Sequence, residues 1–200
     1  MHQSDGFRDR LRSVLEPVAT MDLHAELDVP PQTALAAVLA PIVASERGVR
    51  MVFTKRTDTL SRHAGEISFP GGLLDHGEEP ATAALREAEE ELGLKPSDVD
   101  LLGALPPVHT HVSGILILPF VGWLGSDLRF SPNEAEIADI LEFPLSELVS
   151  RGGETEFERE GRRFQTYVYE MDGHTIWGAT ARILHSFIEL MDAASSPEDG

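Results

Sequence analysis

The strongest structural signal in the sequence is residues 72–94, GLLDHGEEPATAALREAEEELGL. From position 81 to 92 it consists mostly of alanine, leucine, glutamate and arginine, which have high helix propensities. Pro80 suits the first helical position, where the missing N–H costs nothing, and Gly93 suits a left-handed C-terminal cap. The sequence therefore predicts a helix over residues 81–92 that ends at Gly93.

Helical spacing divides this segment into an apolar and an acidic face. At about 100° per residue, one face carries Ala81, Ala84, Leu85, Ala88 and Leu92. Glu87, Glu90 and Glu91 stand at i, i+3 and i+4, so their carboxylates share a different face, whereas Glu89 points away into solvent. A hard divalent cation such as Mg²⁺ or Mn²⁺ would relieve the repulsion between the three charges, because it prefers oxygen ligands. A solvated acidic surface is the alternative.

The spacing of this segment resembles the signature of the Nudix hydrolases, G-x5-E-x7-R-E-U-x-E-E-x-G-U, in which U is a bulky aliphatic residue. The matching positions are Gly72, Glu78, Arg86, Glu87, Glu90, Glu91, Gly93 and Leu94. Ala88 departs from the pattern because it is smaller than the usual aliphatic residue. The resemblance implies an α/β fold, an α/β/α sandwich around a mixed β-sheet, and an enzyme that hydrolyses diphosphate bonds.

The resemblance also implies a role for each residue of the signature. Glu87, Glu90 and Glu91 would bind Mg²⁺ or Mn²⁺, which neutralises the diphosphate and prepares a water molecule for attack. Arg86 would pair with Glu78 and orient the junction between loop and helix. The general base differs within the family, and both Glu87 and Glu136 are candidates here. Glu136 could equally be a solvated acid at a strand edge.

A second signature lies directly upstream, in residues 52–72 (VFTKRTDTLSRHAGEISFPGG). It resembles the coenzyme A diphosphatase branch of the family, L-L-T-x-R-[S/A]-x3-R-x3-G-x3-F-P-G-G. The matching positions are Thr54, Arg56, Gly65, Phe69, Pro70, Gly71 and Gly72. Thr57 replaces the expected Ser or Ala, and Ser61 stands where an arginine is expected, with Arg62 one position later. The implied reaction converts coenzyme A or its derivatives to 3′,5′-ADP and 4′-phosphopantetheine.

Several residues of this region are candidates for substrate binding. The basic ones are Lys55, Arg56, Arg62 and His63. Local positive charge of this kind suits a 3′-phosphate and a diphosphate, although ordinary surface side chains would give the same pattern. Gly71 and Gly72 allow the backbone to turn tightly and approach a ligand closely. Further along the chain, Trp177 is expected in the core, not as a platform for a nucleotide base.

The composition limits the partners that the protein can have. Its 200 residues include 16 basic and 34 acidic side chains, a formal net charge of −18. Such a surface repels nucleic acids and anionic membranes, so we expect a small-molecule substrate. The sequence has no cysteine, which excludes disulfides and thiolate zinc sites. No apolar run has membrane-spanning length and no signal peptide is recognisable, so a cytoplasmic enzyme is expected.

Patterning elsewhere predicts the remaining organisation. Residues 1–31 are expected to form an N-terminal helix and linker, 32–192 the Nudix domain and 193–200 a disordered tail. Helices are predicted at 4–15, 145–149 and 180–191. Strands are predicted at 34–43, 50–56, 99–106, 115–124, 137–144, 163–171 and 174–177, the last two joined in a hairpin at Asp172-Gly173. Gly152-Gly153 is predicted to open a loop.

Two other functions remain open. The first is a Nudix hydrolase of another nucleoside diphosphate compound, such as ADP-ribose or NADH. The NADH-active branch carries a downstream motif and often a zinc module, neither of which is visible here. The second is a Nudix domain that senses a ligand without cutting it. That function is disfavoured because such domains generally lose the signature glutamates and gain a DNA-binding domain.

Overall fold

The computed structural model describes residues 2–18, 33–45, 48–58, 65–110, 114–159 and 161–193. The helices are α1 (His2–Val14), α2 (Pro80–Leu92), α3 (Leu145–Arg151) and α4 (Gly178–Ala193), with a 3₁₀ turn at Pro96–Asp98. The strands are β1 (Leu35–Ser45), β2 (Gly48–Arg56), β3 (Ile67–Ser68), β4 (Gly71–Leu73), β5 (Val99–Ala104), β6 (Val108–His109), β7 (Leu116–Leu124), β8 (Ile137–Pro144), β9 (Gly152–Arg159), β10 (Arg162–Met171) and β11 (His174–Ile176). Most of the predicted linker and nearly all of the predicted tail lie outside these residues.

The principal sheet is mixed and has β1 near its centre. Strand β1 runs parallel to β7 from Leu35 to Val43 and antiparallel to β2 and β4. On the far side of β2, β8 adds a further antiparallel strand. Both faces of β1 are buried along most of its length, which accounts for its nearly continuous apolar sequence. The expected mixed α/β fold is confirmed.

Helices cover both faces of this sheet and create two apolar cores. One core joins α2 to the sheet through Ala83, Ala84, Ala88 and Leu92, each fully buried. The other core contains side chains of α1, α3 and α4 together with the opposite face of the sheet. The small residue at position 88 therefore lies in the core, where it lets the helix approach the sheet closely. This arrangement is the expected α/β/α sandwich.

The N-terminal helix packs on the edge of the sheet. Leu11 is fully buried, and the Phe7 ring lies 6.2 Å from the Trp123 ring. On the solvent side, the guanidiniums of Arg8 and Arg12 both pair with the Asp100 carboxylate on β5. These contacts make α1 part of the same folded unit as the sheet. None of the described helices has the length and apolar composition needed to cross a bilayer.

A second, antiparallel sheet contains β9, β10 and β11. The predicted hairpin at Asp172-Gly173 is confirmed, with Tyr169 opposite Ile176. The predicted loop at Gly152-Gly153 is wrong, because both residues begin β9 and pair with β10. A β-carbon at Gly152 would lie 2.3 Å from the Tyr169 ring. Glycine is needed there for close packing and not for a turn.

Candidate active site

The acidic helix α2 forms as its sequence predicts. Pro80 occupies its first turn, and Gly93 closes it in the left-handed region at φ 66°. In front of the helix, Gly71 and Gly72 form the short strand β4, which pairs with β1. A β-carbon at Gly71 would lie 2.4 Å from the Ala37 carbonyl oxygen, and one at Gly72 would lie 2.5 Å from the Glu87 carboxylate. Gly72 therefore lets the strand lie directly against the acidic helix, and Gly71 lets it lie close to β1.

Arg86 joins the loop before the helix to the helix itself. Its Nε and Nη2 donate to Oε1 and Oε2 of Glu78 at 2.9 and 3.1 Å. Nη2 also donates to the Leu73 carbonyl at 3.2 Å. The hydrogen bonds that Glu78 accepts from Arg86 and from the Asp75 N–H hold the pKa of Glu78 below its usual value. The Arg86–Glu78 pair expected from the resemblance is present.

The three glutamates of the acidic face occupy different environments. The Glu90 side chain is 59% exposed, the Glu87 side chain 18% and the Glu91 side chain 6%. Arg86 Nη1 lies 2.7 Å from Glu87 and 3.4 Å from Glu90. Glu91 is instead enclosed between the helix, β2 and β4. The buried face of α2 therefore includes Glu91, which helical spacing alone places on the polar side.

Glu91 has a buried carboxylate that is only partly satisfied. Its Oε1 lies 3.8 Å from Arg56 Nη1, whereas its Oε2 has no hydrogen-bond partner among the described residues. The pKa of Glu91 is raised to about 8, chiefly by burial and against the lowering effect of Arg56. The charges of Glu87 and Glu136 contribute to this increase. The site is thus short of positive charge for its carboxylates at neutral pH.

A divalent cation fits this set of donors. An unpartnered, buried carboxylate oxygen beside other carboxylates is an oxygen ligand of the kind that Mg²⁺ and Mn²⁺ prefer. Within the described residues, no three His, Asp or Glu side chains are already grouped as a metal cluster. Arg86 donates hydrogen bonds to the Glu87 and Glu90 carboxylates in the structure. A cation bound by all three glutamates would have to compete with Arg86 for two of them.

Glu136 is held near the carboxyl end of α2. The segment before it caps the helix: Asn133 N–H donates to the Glu91 carbonyl at 2.9 Å. Glu136 N–H in turn donates to the Asn133 carbonyl, and the Glu136 carbonyl accepts from Thr57 N–H at 2.8 Å. Its side chain is half-buried, and its charge raises the pKa of Glu91. The fold therefore brings this candidate base to the signature glutamates.

The basic residues expected to act together are divided between two places. Arg56, the last residue of β2, faces Glu91. The preceding Lys55 lines a cleft of about 440 Å³ between β3 and β11. The pairing of β2 with β8 shifts register between these two residues, and their side chains enter different surroundings. Arg62 and His63 lie outside the described residues.

The cleft also contains a residue whose expected position was wrong. Trp177 is 55% exposed and lies in the lining, not in the core. Trp177 directly follows β11, whose last residue, Ile176, takes the buried position. His174 and Thr175 of β11 line the same cleft and were not identified from the sequence. The period-2 pattern of this short strand was the available signal.

Comparison with known proteins finds Nudix proteins both by family model and by sequence identity. The family model described as "NUDIX domain" matches residues 33–165. A protein of Pectobacterium atrosepticum named "Uncharacterized Nudix hydrolase NudL" is 37% identical over 169 residues, 80% of this chain and 87% of its own length. One of the same name from Photorhabdus laumondii is 40% identical over 157 residues, 77% of this chain and 83% of its own.

Solved structures share the fold at low sequence identity. The MutT protein of Methanosarcina mazei aligns over 86% of this chain and 99% of its own, with a TM-score of 0.53 and 14% identity. A MutT/nudix family protein of Enterococcus faecalis aligns over 94% of this chain and 74% of its own, with a TM-score of 0.54 and 10% identity. At these identities the likeness concerns the fold alone.

Proposed function

The chain belongs to the Nudix hydrolases, enzymes that act on diphosphate bonds of nucleoside diphosphate derivatives, and we propose that its own substrate is coenzyme A or a thioester of it. The products would be 3′,5′-ADP and 4′-phosphopantetheine or its acylated form. The observation that carries this proposal is the meeting of two signatures at one point. Arg56, from the segment that resembles the coenzyme A branch, contacts Glu91 of the Nudix box.

Other residues of the upstream segment hold it in place beside the Nudix signature. Thr54 is fully buried, and its hydroxyl lies 3.1 Å from the Ser68 carbonyl. Phe69 stacks on Phe53 with 4.7 Å between ring centroids. These contacts fix the path of the chain into Gly71 and Gly72, which lie against α2. The segment therefore positions two features: the end of β2 at Arg56, and the glycines of β4 beside Glu87.

We assign the residues of the site as follows. Glu91, Glu87 and Glu90 would hold a divalent cation, Mg²⁺ or Mn²⁺, whose chemistry is to neutralise the diphosphate and lower the pKa of water. Arg56 supplies positive charge from the opposite side of Glu91. Arg86 and Glu78 position the loop and the glutamates without touching substrate. Glu87 and Glu136 are the two candidates for the group that accepts the proton of water.

The reaction needs no group beyond these and water. The oxygen of water forms a bond to one phosphorus of the diphosphate, and the bond from that phosphorus to the bridging oxygen breaks. The bridging oxygen leaves on the other phosphate, and the proton released by water passes to a carboxylate. In-line displacement of this kind depends on positioning and charge neutralisation more than on covalent catalysis. The cation held by the glutamates, together with Arg56, would supply the charge neutralisation, and the glutamates would position the cation.

A second candidate is hydrolysis of another nucleoside diphosphate compound, such as ADP-ribose or NADH. One observation favours it: Ser61 occupies the position where the coenzyme A branch has an arginine. The general assignments of Glu87, Glu90 and Glu91 would be unchanged in that case. The two candidates differ only in what surrounds the diphosphate.

Product analysis distinguishes them. Purified protein would be incubated with coenzyme A, acetyl-coenzyme A, ADP-ribose, NADH and a dinucleoside polyphosphate, each with Mg²⁺ and with Mn²⁺. Chromatography of the nucleotide products should show 3′,5′-ADP from the coenzymes as the fastest reaction. Preferential formation of AMP from ADP-ribose or NADH would establish the second candidate instead. No product from any substrate would refute both.

A further inference from the structure

The cleft between β3 and β11 lies beside the carboxylate site but is not part of it. It has a volume of about 440 Å³, and its lining includes Lys55, Glu66, His174, Thr175 and Trp177. Lys55 and Arg56 are consecutive at the end of β2, so their Cα atoms are about 3.8 Å apart, although Lys55 lines the cleft and Arg56 lies against Glu91. A molecule whose diphosphate contacts Arg56 can therefore reach the cleft past the end of β2.

Two features of the lining point to the chemistry of a ligand. Trp177 exposes 55% of its surface, which is a large aromatic area to leave against solvent. Lys55 makes no ion pair within the described part of the chain, although the acidic Glu66 shares the lining. The Glu66 carbonyl accepts a hydrogen bond from Arg56 N–H at 3.0 Å, which ties this wall to the strand end. A planar π-system and an anionic group are the ligand features that such a pair recognises.

We propose that this cleft binds the adenosine 3′-phosphate half of the substrate, an inference that rests on the proposed function. Trp177 stacks on the adenine, since every nucleotide base offers a π-face. Lys55 binds the 3′-phosphate as a point charge. The other half of coenzyme A, the pantetheine arm, carries neither an aromatic ring nor a charge, so it has no use for this pair. The cleft thus sets the preference for a 3′-phosphorylated adenosine.

Binding of the product half tests this assignment without depending on turnover. Calorimetry would compare 3′,5′-ADP with 5′-AMP on wild-type protein and on Lys55→Gln and Trp177→Leu. Wild-type protein should bind 3′,5′-ADP about tenfold more tightly than 5′-AMP, and Lys55→Gln should abolish this difference. Trp177→Leu should weaken both nucleotides by roughly tenfold, with Trp177→Phe restoring most of the binding.

The chain offers a matched control for the charge. Lys95 is the only other lysine and is exposed after the end of α2. Lys95→Gln removes the same charge elsewhere and should bind both nucleotides as wild type does. Equal losses in Lys55→Gln and Lys95→Gln would show a general charge effect and overturn the subsite. Wild-type binding by Trp177→Leu, or no binding of 3′,5′-ADP by the wild-type protein, would overturn it as well.

Turnover separates this proposal from the one on which it rests. If coenzyme A is hydrolysed while Lys55→Gln and Trp177→Leu bind 3′,5′-ADP normally, the cleft assignment fails and the reaction stands. If 3′,5′-ADP binds through Lys55 but coenzyme A is not hydrolysed, the cleft assignment stands and the reaction fails. Melting temperatures of the variants should match wild type, because Trp177 is exposed and Lys55 is half-buried.

Discussion

Arg56 Nη1 lies 3.8 Å from Oε1 of Glu91, so the last residue of β2 faces the most buried carboxylate of α2. Neither residue is fully satisfied: Arg56 Nε and Glu91 Oε2 are both buried without a hydrogen-bond partner in the described structure. Burying polar atoms in this way costs free energy. The pair is therefore arranged for a charged ligand more than for stability.

Glu91→Gln should lower kcat by at least about 100-fold at saturating Mg²⁺, because it removes a ligand charge from the proposed cation site. Stability should hold or rise, because a neutral amide replaces a buried carboxylate. Glu89→Gln is the matched control, since Glu89 is exposed on the same helix. The comparison requires kcat and Tm for both variants. Turnover of Glu91→Gln close to that of Glu89→Gln would remove Glu91 from the site.

The raised pKa of Glu91 predicts a pH dependence of stability in metal-free protein. Its folded pKa of about 8 lies above the ordinary value of 4.5, so the folded state binds the proton more tightly than the unfolded state does. The free energy of unfolding should therefore fall as the pH rises from about 5 to 8. Urea titrations of wild type and Glu91→Gln in EDTA would measure this. Across this pH range, the free energy of unfolding of the variant should increase relative to that of wild type. Added Mg²⁺ should reduce this increase. A constant difference between the two proteins would contradict the assignment.

Arg86→Ala should lower both stability and turnover. It removes the two hydrogen bonds to Glu78 and the one to the Leu73 carbonyl, which suggests a loss of about 1–3 kcal/mol. Arg151→Ala is a suitable comparison, because Arg151 pairs with Glu147 on an exposed helical turn and such pairs contribute less than about 1 kcal/mol. Equal unfolding midpoints for the two variants would show that Arg86 does not hold the loop.

Gly72→Ala should damage activity more than stability. The new β-carbon would lie 2.5 Å from the Glu87 carboxylate, which is the mobile end of its side chain and can move away. The fold should survive while Glu87 leaves its position, and kcat should fall by at least roughly tenfold. Gly153→Ala tests for a general effect of adding a methyl group, because a β-carbon there meets nothing within 4 Å. Activity of Gly72→Ala equal to that of Gly153→Ala would argue against the close approach.

Local signals account for what could be predicted from the sequence. Propensity, Pro80 and Gly93 determine α2 within the helix itself, and most strands have apolar or turn-bounded patterns. In the second sheet, the β10–β11 hairpin was predicted but β9 was not. Gly152 was predicted to open a loop, whereas it is a glycine because the Tyr169 ring of another strand packs against it. The burial of Glu91 has the same origin, since helical spacing cannot show that β2 and β4 cover that side of α2.

In the candidate site too, local features were predicted and contacts between distant segments were not. The signature located its carboxylates and the Arg86–Glu78 pair, because these residues lie on one helix and in the loop directly before it. The separation of Lys55 from Arg56 required the strand geometry, and the exposure of Trp177 required the position of β11. Sequence reasoning was therefore sufficient for the acidic helix and insufficient for the groups around it.

The 3′-phosphate distinguishes coenzyme A from its 3′-dephospho form, so it tests the claim that coenzyme A is the substrate. The measurement is kcat/KM for coenzyme A and for 3′-dephospho-coenzyme A on the wild-type enzyme under identical conditions. A 3′-phosphate bound by one cationic side chain should contribute about 1.5–3 kcal/mol, so we predict a ratio of at least roughly tenfold. Equal values for the two compounds, or a higher value for ADP-ribose, would contradict the claim.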